Sequence, residues 1–453
     1  MRSANRPSPV GGAHTATDSA PHLRSALLIM VIAGPLLLNA YSFLRFGRTI
    51  RLVDEYFYYA HARSWYFDHD CDYENDLRMA PGFGAAPYYL DMRTSTGRVA
   101  NNFMTGTSLV SLPFIALGDA LTRLHNAVAI NQRPRDGYGP YCQFAVSFGH
   151  TLVGVVGLLA CYVLCTRYFL RIVSALAVFC VWLGTSAVYY VGYESPQSHA
   201  LSLCMVALVL LVSDNARREG FTLQRALALG LCSGLMIVTR PQDLVWVAVP
   251  VVVLVPQITR RAQRRGEWSA HVGRAAAAVA LATVCYIPQA VVNARLFGAP
   301  VYNTYQNIVE DGRPQLLHWT APDLSAPLVD PHVGLLWTAP LAVLSIVGIC
   351  GLLVRRSSML VAVVLSFALT YYVIAGIWWR ITGYGHRYFM SSSAAFALGL
   401  CVVLSWATRR PWRTAVVGTL VAVLVLWQVG LFVATDRGYR EPTGVSPLYA
   451  LLT

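Results

Sequence analysis

The sequence predicts an all-α polytopic membrane fold, and three observations predict it. Apolar runs follow one another along the chain, each close to the roughly 20 residues that a helix needs to cross hydrocarbon. Only 13% of the 453 residues are charged and 56% are hydrophobic, whereas a soluble domain carries about 25% charged residues. The arginines sit in short loops between the apolar runs and form no basic stripe with interleaved aromatics. The formal net charge of +13 is therefore a topology signal, and nucleic acid is excluded as a partner.

Residues 1–24 are polar, with Arg2, Arg6 and Arg24, and read as a disordered cytoplasmic tail. The run 25–44 exceeds the 7–15 or so residues of a signal-peptide core and reads as a retained first span. Further runs at 140–166, 171–191, 197–213, 222–240, 243–257, 272–294, 333–354, 358–377, 388–407 and 413–433 bring the count to eleven. One more, 104–124, is apolar but contains Pro113 and Asp119. If it does not cross, five basic clusters all fall in inner loops: Arg167 and Arg171; Arg217, Arg218 and Arg225; Arg260, Arg261, Arg264, Arg265 and Arg274; Arg355 and Arg356; Arg409, Arg410 and Arg413. If it crosses, all five fall outside, against the positive-inside rule. Segment 104–124 is therefore expected to lie in the outer interface, or to dip in and return. The transmembrane body then covers 25–434. It has a first extracytoplasmic loop at 45–139 with interfacial helices, a second outer loop at 295–332 and an extracytoplasmic tail at 435–453.

Eight of the ten cysteines lie in or beside apolar runs, where they act as small buried hydrophobes. Cys71 and Cys142 fall in outer regions, and a disulfide between them is open if the compartment is oxidising.

The polar chemistry collects on the outer side. The first loop begins Arg51-Leu52-Val53-Asp54-Glu55-Tyr56-Phe57-Tyr58-Tyr59. Its acids from Asp68 to Asp76 read as a solvated stretch. Asp54 and Glu55 differ, because they precede an aromatic run that can cover them and exclude water, and a carboxylate so placed can take a proton from an attacking hydroxyl. Tyr193-Glu194-Ser195-Pro196-Gln197-Ser198-His199 puts two ionisable groups in a tight turn at the membrane surface, more than solubility requires. An Asp/Glu/His set of this kind can also hold a divalent cation, although no spacing here is diagnostic of one. Arg240, in Thr239-Arg240-Pro241-Gln242-Asp243, sits at the bilayer's outer edge. It either snorkels to the interface or binds phosphate, whose geometry a guanidinium matches. Trp378 to Phe389 packs Arg380, His386 and Arg387 with two glycines ahead of another span, a place where an anion meets both arginines and a helix N-terminus. The 295–332 loop adds Tyr302, Asn303, Tyr305, Gln306 and Asn307, a mixture that suits sugar or headgroup contacts and equally an ordinary loop.

Taken in order, Asp54-Glu55-Tyr56, Thr96-Gly97-Arg98-Val99-Ala100-Asn101-Asn102, Tyr193-Glu194-Ser195-Pro196, Thr239-Arg240-Pro241-Gln242 and Gly385-His386-Arg387-Tyr388-Phe389 resemble the bacterial GT-C glycosyltransferases, the superfamily of aminoarabinose transferases and protein O-mannosyltransferases. The resemblance covers roughly 25–410. It implies a multi-pass protein of the bacterial inner membrane with an extracytoplasmic site, a polyprenyl-phosphate-linked sugar donor, and a lipid, glycan or protein acceptor. It implies Asp54 as catalytic base or acceptor-orienting group, with Glu55 and Glu194 assisting. It also implies Arg240, Arg387, His386 and Arg380 at the donor phosphate, with Tyr58, His199, Asn102, Gln242 and Tyr302 lining the substrate. Members of the superfamily often carry Asp where this chain has Glu194. Transfer would proceed with inversion and without a nucleotide. The alternative is a transporter or flippase of lipid-linked glycans, but such proteins place ionisable groups at mid-membrane and use internal repeats. Here the spans are nearly free of charge and no fixed-period repeat stands out.

Overall fold

The computed structural model describes residues 20–79, 90–304, 309–310, 313–314, 318–377, 383–441 and 444. Helix α1 (Pro21–Phe46) leads into α2 (Val53–Arg63), a π-turn over Ser64–Asp68, α3 (Glu74–Met79) and α4 (Gly106–Val128). Then come α5 (Pro140–Thr166), α6 (Arg171–Gly184), a second π-turn at Tyr189–Tyr193, α7 (Ser198–Glu219) and α8 (Leu223–Thr239). A 3-10 turn at Pro241–Val247 continues as α9 (Ala248–Arg265), followed by α10 (Trp268–Phe297). A hairpin pairs Val309–Glu310 with Arg313–Pro314, and the short α11 (Ala326–Val329) and α12 (Leu335–Thr338) precede α13 (Pro340–Leu352), α14 (Ser358–Gly376), α15 (Ser393–Ala407) and α16 (Pro411–Asp436).

Among the described residues eight helices are long and apolar enough to cross a membrane, and α6, α8 and the α13 segment are shorter apolar helices. Together they match the eleven runs read from the sequence. Proline opens α1, α5, α13 and α16, where its missing N–H is not needed. Gly47, Gly266 and Gly298 end α1, α9 and α10 at φ of 67°, 68° and 82°, a conformation that a side chain would resist. Burial separates the centre from the rim. The apolar stretches of α7 and α15 are each 78% buried, whereas that of α10 is 17% buried and presents most of its surface to lipid. At the centre α13 and α15 meet backbone to backbone, since a Cβ on Gly348 would overlap the Gly399 carbonyl oxygen.

Ion pairs mark the two ends of the bundle. At one end the buried Asp214 accepts from Arg167 (2.9 Å), Arg217 (2.7 Å), Arg218 (2.7 Å) and the Tyr168 hydroxyl (2.7 Å). At the other, Arg45 pairs with Asp436 at 2.9 Å, tying the end of α1 to the end of α16. Helix α4 stays at this second end. Gly106 abuts Thr239 at the end of α8, Ser111 bonds His150 at 2.8 Å, Gly118 abuts Cys142, and His125 meets the Tyr141 hydroxyl at 3.1 Å. These α5 partners all lie in its first three turns, so α4 packs antiparallel to the start of α5 and not along its whole length.

Several boundaries differ from the sequence reading. Helix α1 begins at Pro21, inside the expected tail, and residues 1–19 lie outside the described residues. The run 171–191 is not one helix. After Gly184 the backbone of Thr185 is extended, and its hydroxyl bonds back to the Val181 carbonyl (2.7 Å) and accepts from the Ala187 N–H (3.2 Å). A side chain thus replaces the helix ladder at that point. The run 333–354 breaks at Ala339, before Pro340, because the residue ahead of a proline is steered from the helical region.

The acidic stretch Asp68 to Asp76 is not simply solvated. Asp76 is fully buried and bonds Arg63 (3.3 Å) and the Tyr138 hydroxyl (3.0 Å), while Arg63 also holds Asp68. Three elements of the first loop converge on this carboxyl, which the amino-acid pattern could not show. Asp119 on α4 is likewise buried and takes Arg123 (2.7 Å) and Arg135 (3.0 Å). Cys71 and Cys142 are both free thiols. Cys142 is buried on α5 against α4, with its Sγ directed at the Ile115 carbonyl.

Burial pushes the Asp76 carboxyl up to about 7, although Arg63 and Tyr138 oppose the shift. A carboxyl raised in the folded state contributes stability that is complete below its unfolded value near 4 and is lost as pH rises through about 7. The thermal midpoint in detergent is expected to fall between pH 5 and pH 8 for the native chain and to fall less for Asp76→Asn. Parallel curves for the two proteins would show that Asp76 does not titrate in this window.

Candidate active site

The site is built where α2, the 194–198 turn, the start of α7, the 239–243 turn and the 383–389 turn meet. Helix α2 starts at Val53, and Glu55 caps it by accepting from the backbone N–H groups of Arg51 (2.9 Å) and Leu52 (3.1 Å). This satisfies two donors that a helix start leaves unpaired. Glu55 is fully buried, whereas the Asp54 side chain is 29% exposed. Of the two adjacent acids, only Asp54 is open to a ligand.

Asp54 Oδ2 accepts from Arg387 Nη1 at 2.6 Å, across 333 residues of chain. The same nitrogen reaches Gln197 Oε1 at 3.3 Å. Arg387 is placed by the turn before it. Gly383 and Gly385 have φ of 101° and 57°, conformations that favour glycine. A Cβ at Gly383 would lie 2.9 Å from the Tyr190 hydroxyl and 3.2 Å from Arg387. The Tyr190 hydroxyl accepts from the Tyr384 N–H at 2.9 Å, and Tyr384 stacks on Tyr189 with ring centroids 4.4 Å apart.

Arg240 is 4% exposed, so it does not snorkel to the surface. Its Nη1 meets His199 Nδ1, and with the Gln242 amide oxygen turned toward it, Nη2 and Nε donate at 2.6 and 2.9 Å. The guanidinium lies 4.7 Å from the ring centre of Tyr388, which also carries Arg387 at 5.8 Å. One aromatic ring thus bridges both cations. Beneath Arg240, Asp243 is fully buried and accepts from the Ser202 hydroxyl at 2.5 Å. Tyr58 is buried and lies within electrostatic reach of Asp54, Arg240 and Arg387.

Of the residues singled out from the sequence, the structure thus brings together Asp54, Tyr58, His199, Arg240, Gln242 and Arg387, with Glu55 directly behind Asp54. Glu194 sits beside them, 3% exposed and ion-paired with Arg51. His386 is buried edge-on to Phe389, 4.6 Å between ring centres, and neither ring nitrogen has a partner among the described residues. Two candidates occupy the flank at the end of α10: Tyr302 stacks on Phe297 at 4.5 Å, and the Asn102 carbonyl accepts from Thr304 at 2.7 Å. Arg380 lies outside the described residues. Arg51, Gln197 and Asp243 belong to the site's framework but do not stand out in the sequence. The signal that could have found them is their position beside Asp54, Glu194 and Arg240. Among the described residues no group of three or more His, Cys, Asp or Glu side chains is arranged to hold a metal ion.

A cavity of about 850 Å³ lies elsewhere, between the 65–72 segment and α10, with Trp65, Asp72, Arg98, Ile287, Val291 and Arg295 on its wall. None of the residues around Arg387 lines it. The assignment of the site therefore follows the convergence of charged groups and not cavity size.

The sequence matches no protein-family model and no curated protein. In three dimensions the chain is similar to the crystal structure of ArnT from Cupriavidus metallidurans in the apo state, with a TM-score of 0.51 and 15% identity. The match covers 87% of this chain and 62% of that one, so this chain spans under two thirds of the other's length. At that identity the likeness is one of fold. The protein has an all-α, multi-pass membrane architecture similar to that of this structure.

Tyr190 holds the 383–387 turn through one hydroxyl. Tyr190→Phe leaves the buried Tyr384 N–H without its acceptor, which costs about 1–3 kcal/mol. The expected result is a lower thermal midpoint, with the helical circular dichroism of the folded protein unchanged. An unaltered midpoint would mean that the turn does not depend on this bond.

Proposed function

We propose that this protein is a GT-C-type glycosyltransferase that moves a sugar from a polyprenyl-phosphate donor to an acceptor hydroxyl on a lipid, glycan or protein. The site faces the extracytoplasmic side of a bacterial cytoplasmic membrane. The observation that carries this reading is the Asp54–Arg387 pair at 2.6 Å, with Arg240 on the same aromatic ring as Arg387. A partly exposed carboxylate next to one buried and one half-buried guanidinium suits glycosyl transfer from a lipid phosphate. The GT-C-type fold supports the same reading, as does the order of motifs along the chain.

The chemistry follows from the charges. Without donor, the Asp54 carboxylate is engaged by Arg387. A donor phosphate competes for the Nη donors of Arg387 and is met by Arg240, since both guanidiniums offer planar forks. Asp54 is then released toward the acceptor. It takes the hydroxyl proton as the acceptor oxygen attacks the anomeric carbon. The bond from that carbon to the phosphate oxygen breaks, and the charge left on the polyprenyl phosphate is held by the two arginines in a site of low dielectric. Attack opposite the leaving phosphate inverts the anomeric centre. Tyr58 and His199 adjoin the same charged groups, and the resemblance assigns them to the sugar.

Orientation rests on the basic loops at the Asp214 end, which the positive-inside rule puts in the cytoplasm. Single cysteines introduced in the 129–135 and 217–223 segments of a cysteine-free variant test this. A membrane-impermeant thiol reagent applied to intact cells is expected to label the first and spare the second; the reverse pattern would put the site on the wrong side.

Catalysis is tested by incubating the purified protein with a panel of polyprenyl-phosphate sugars and a membrane extract as acceptor. Loss of a general base costs about 10²–10⁴-fold in rate. Asp54→Asn is therefore expected to lose at least roughly 100-fold in turnover, and Arg387→Gln to lose turnover and weaken donor binding. Equal turnover by Asp54→Asn would remove that residue from the chemistry, and no turnover of any donor by the native protein would favour a carrier of lipid-linked glycans.

A further inference from the structure

Glu55 and Glu194 are two buried carboxyls beside a single guanidinium. Arg51 Nη2 is ion-paired with Glu194 Oε1, and the Arg51 backbone N–H donates to Glu55 Oε2 at 2.9 Å, alongside that of Leu52. Glu55 is 0% and Glu194 3% exposed. The oxygens left over, Glu55 Oε1 and Glu194 Oε2, are buried and have no hydrogen-bond partner among the described residues, and the two carboxyls lie within electrostatic reach of each other. Carboxylate oxygens only accept, so two ionised carboxylates here leave both of these buried oxygens without a donor. With both ionised, the three groups would also carry a net negative charge in a buried site. One proton between the two oxygens satisfies both and leaves the trio neutral.

This trio joins the elements that carry the Asp54–Arg387 pair. The Arg51 guanidinium lies 3.8 Å from the Phe46 ring at the end of α1 and 4.8 Å from the Tyr193 ring. Ser42 and Asn39 of α1 bond the carbonyls of Tyr193 (3.0 Å) and Gly192 (3.3 Å), and Ser195 bonds the Ser147 carbonyl on α5 (2.8 Å). The turn from 192 to 198 is therefore fixed to α1 and α5. From it Glu194 reaches the first turn of α2, where Asp54 is the neighbour of Glu55, and Gln197 reaches Arg387. The ionisable groups around the pair are Arg51, Asp54, Tyr189, Tyr190 and Tyr193, and among the described residues no second cation contacts either carboxyl.

We infer that Glu55 and Glu194 form an acid–carboxylate pair holding a single proton, which with Arg51 fixes the start of α2 and so positions Asp54 against Arg387. In this assignment they are positioning residues, and Asp54 is the only base. Burial beside Glu55 keeps the Glu194 carboxyl well above the usual carboxylate range, with Arg51 opposing, which agrees with a protonated partner at neutral pH. The inference rests on the proposed role of Asp54 in glycosyl transfer. The pair itself is open to measurement without turnover.

The test joins infrared spectroscopy with kinetics on the full-length protein in nanodiscs. At pH 7 the native protein and Asp54→Asn are expected to show a buried, protonated carboxylic C=O band that survives exchange into D2O and is lost in both Glu55→Gln and Glu194→Gln. A glutamine can replace the protonated member, so each single variant is expected to keep a thermal midpoint near native, and Glu194→Gln is expected to retain more of the native kcat than Glu194→Ala. Glu194→Ala, which cannot bridge to Glu55, is expected to lose at least tenfold in kcat with KM for donor nearly unchanged. The double variant Glu55→Gln/Glu194→Gln leaves Arg51 unpaired and is expected to lose more than the two single variants combined.

Three results would overturn the inference: a band that persists in both single variants, a Glu194→Gln rate as low as that of Asp54→Asn in a protein of native thermal midpoint, or a double variant with native kcat. If the native protein turns over no donor, the proposed glycosyl transfer fails, while the infrared bands still decide whether the proton is shared.

Discussion

A charge that leaves water for the edge of a helical membrane bundle must find a partner there, and this constraint organises the end of the molecule that carries the site. Bringing an isolated carboxylate or guanidinium into such a place costs several kcal/mol even after relaxation. The helices that supply these groups are far apart in sequence. The ion pairs therefore act as long-range constraints, from Arg45 to Asp436, Arg51 to Glu194 and Asp54 to Arg387. Each ties the start of the chain to a different later segment. The opposite end obeys the same rule with Asp214, whose single carboxylate collects three arginines.

Within this arrangement the partly exposed pair differs from the buried ones. Asp214 and Asp119 are surrounded by donors and have no capacity left for a ligand. Among the described residues Asp54 has one ionic partner, through one nitrogen, and keeps part of its surface open. An ion pair of this kind can be exchanged for another at small cost, because a phosphate offers Arg387 what the carboxylate offered. In the proposed reaction, Asp54 would thus be held by the same group that a donor phosphate would claim. Buried pairs such as Arg51–Glu194 give the rigidity that lets one pair be labile.

Packing of small groups supports the same geometry. Gly192 sits so close to α1 that a Cβ would lie 2.7 Å from the Pro35 carbonyl oxygen, which lets the 189–194 turn lie directly on the first helix. Gly383 gives the Tyr190 hydroxyl access to the 383–387 backbone. Tyr189, Tyr190, Tyr193 and Tyr384 form a contiguous aromatic layer behind Arg387. These rings keep water from the back of the site while their hydroxyl groups meet the backbone and Asp436.

The span count was legible in the sequence because hydrocarbon imposes a length and a composition on any helix that crosses it. The distribution of arginines then indicated which loops share an end. The sequence also pointed to Asp54, Arg240 and Arg387, since ionisable residues are costly at the edge of an apolar run and stand out there. Residue pattern alone did not separate Asp54 from Glu55, and only the resemblance singled out Asp54. Adjacent positions on a helix turn point about 100° apart, and only the packed structure shows that Glu55 caps its own helix under α1 while Asp54 faces Arg387. Likewise Asp76 reads as one more acid in a polar loop, yet the fold buries it against Arg63 and Tyr138. Sequence determined where chains of apolar residues must cross and which charges would need partners. Tertiary structure alone decided which partner each charge met, because pairing depends on distances between segments hundreds of residues apart, and no local pattern records them.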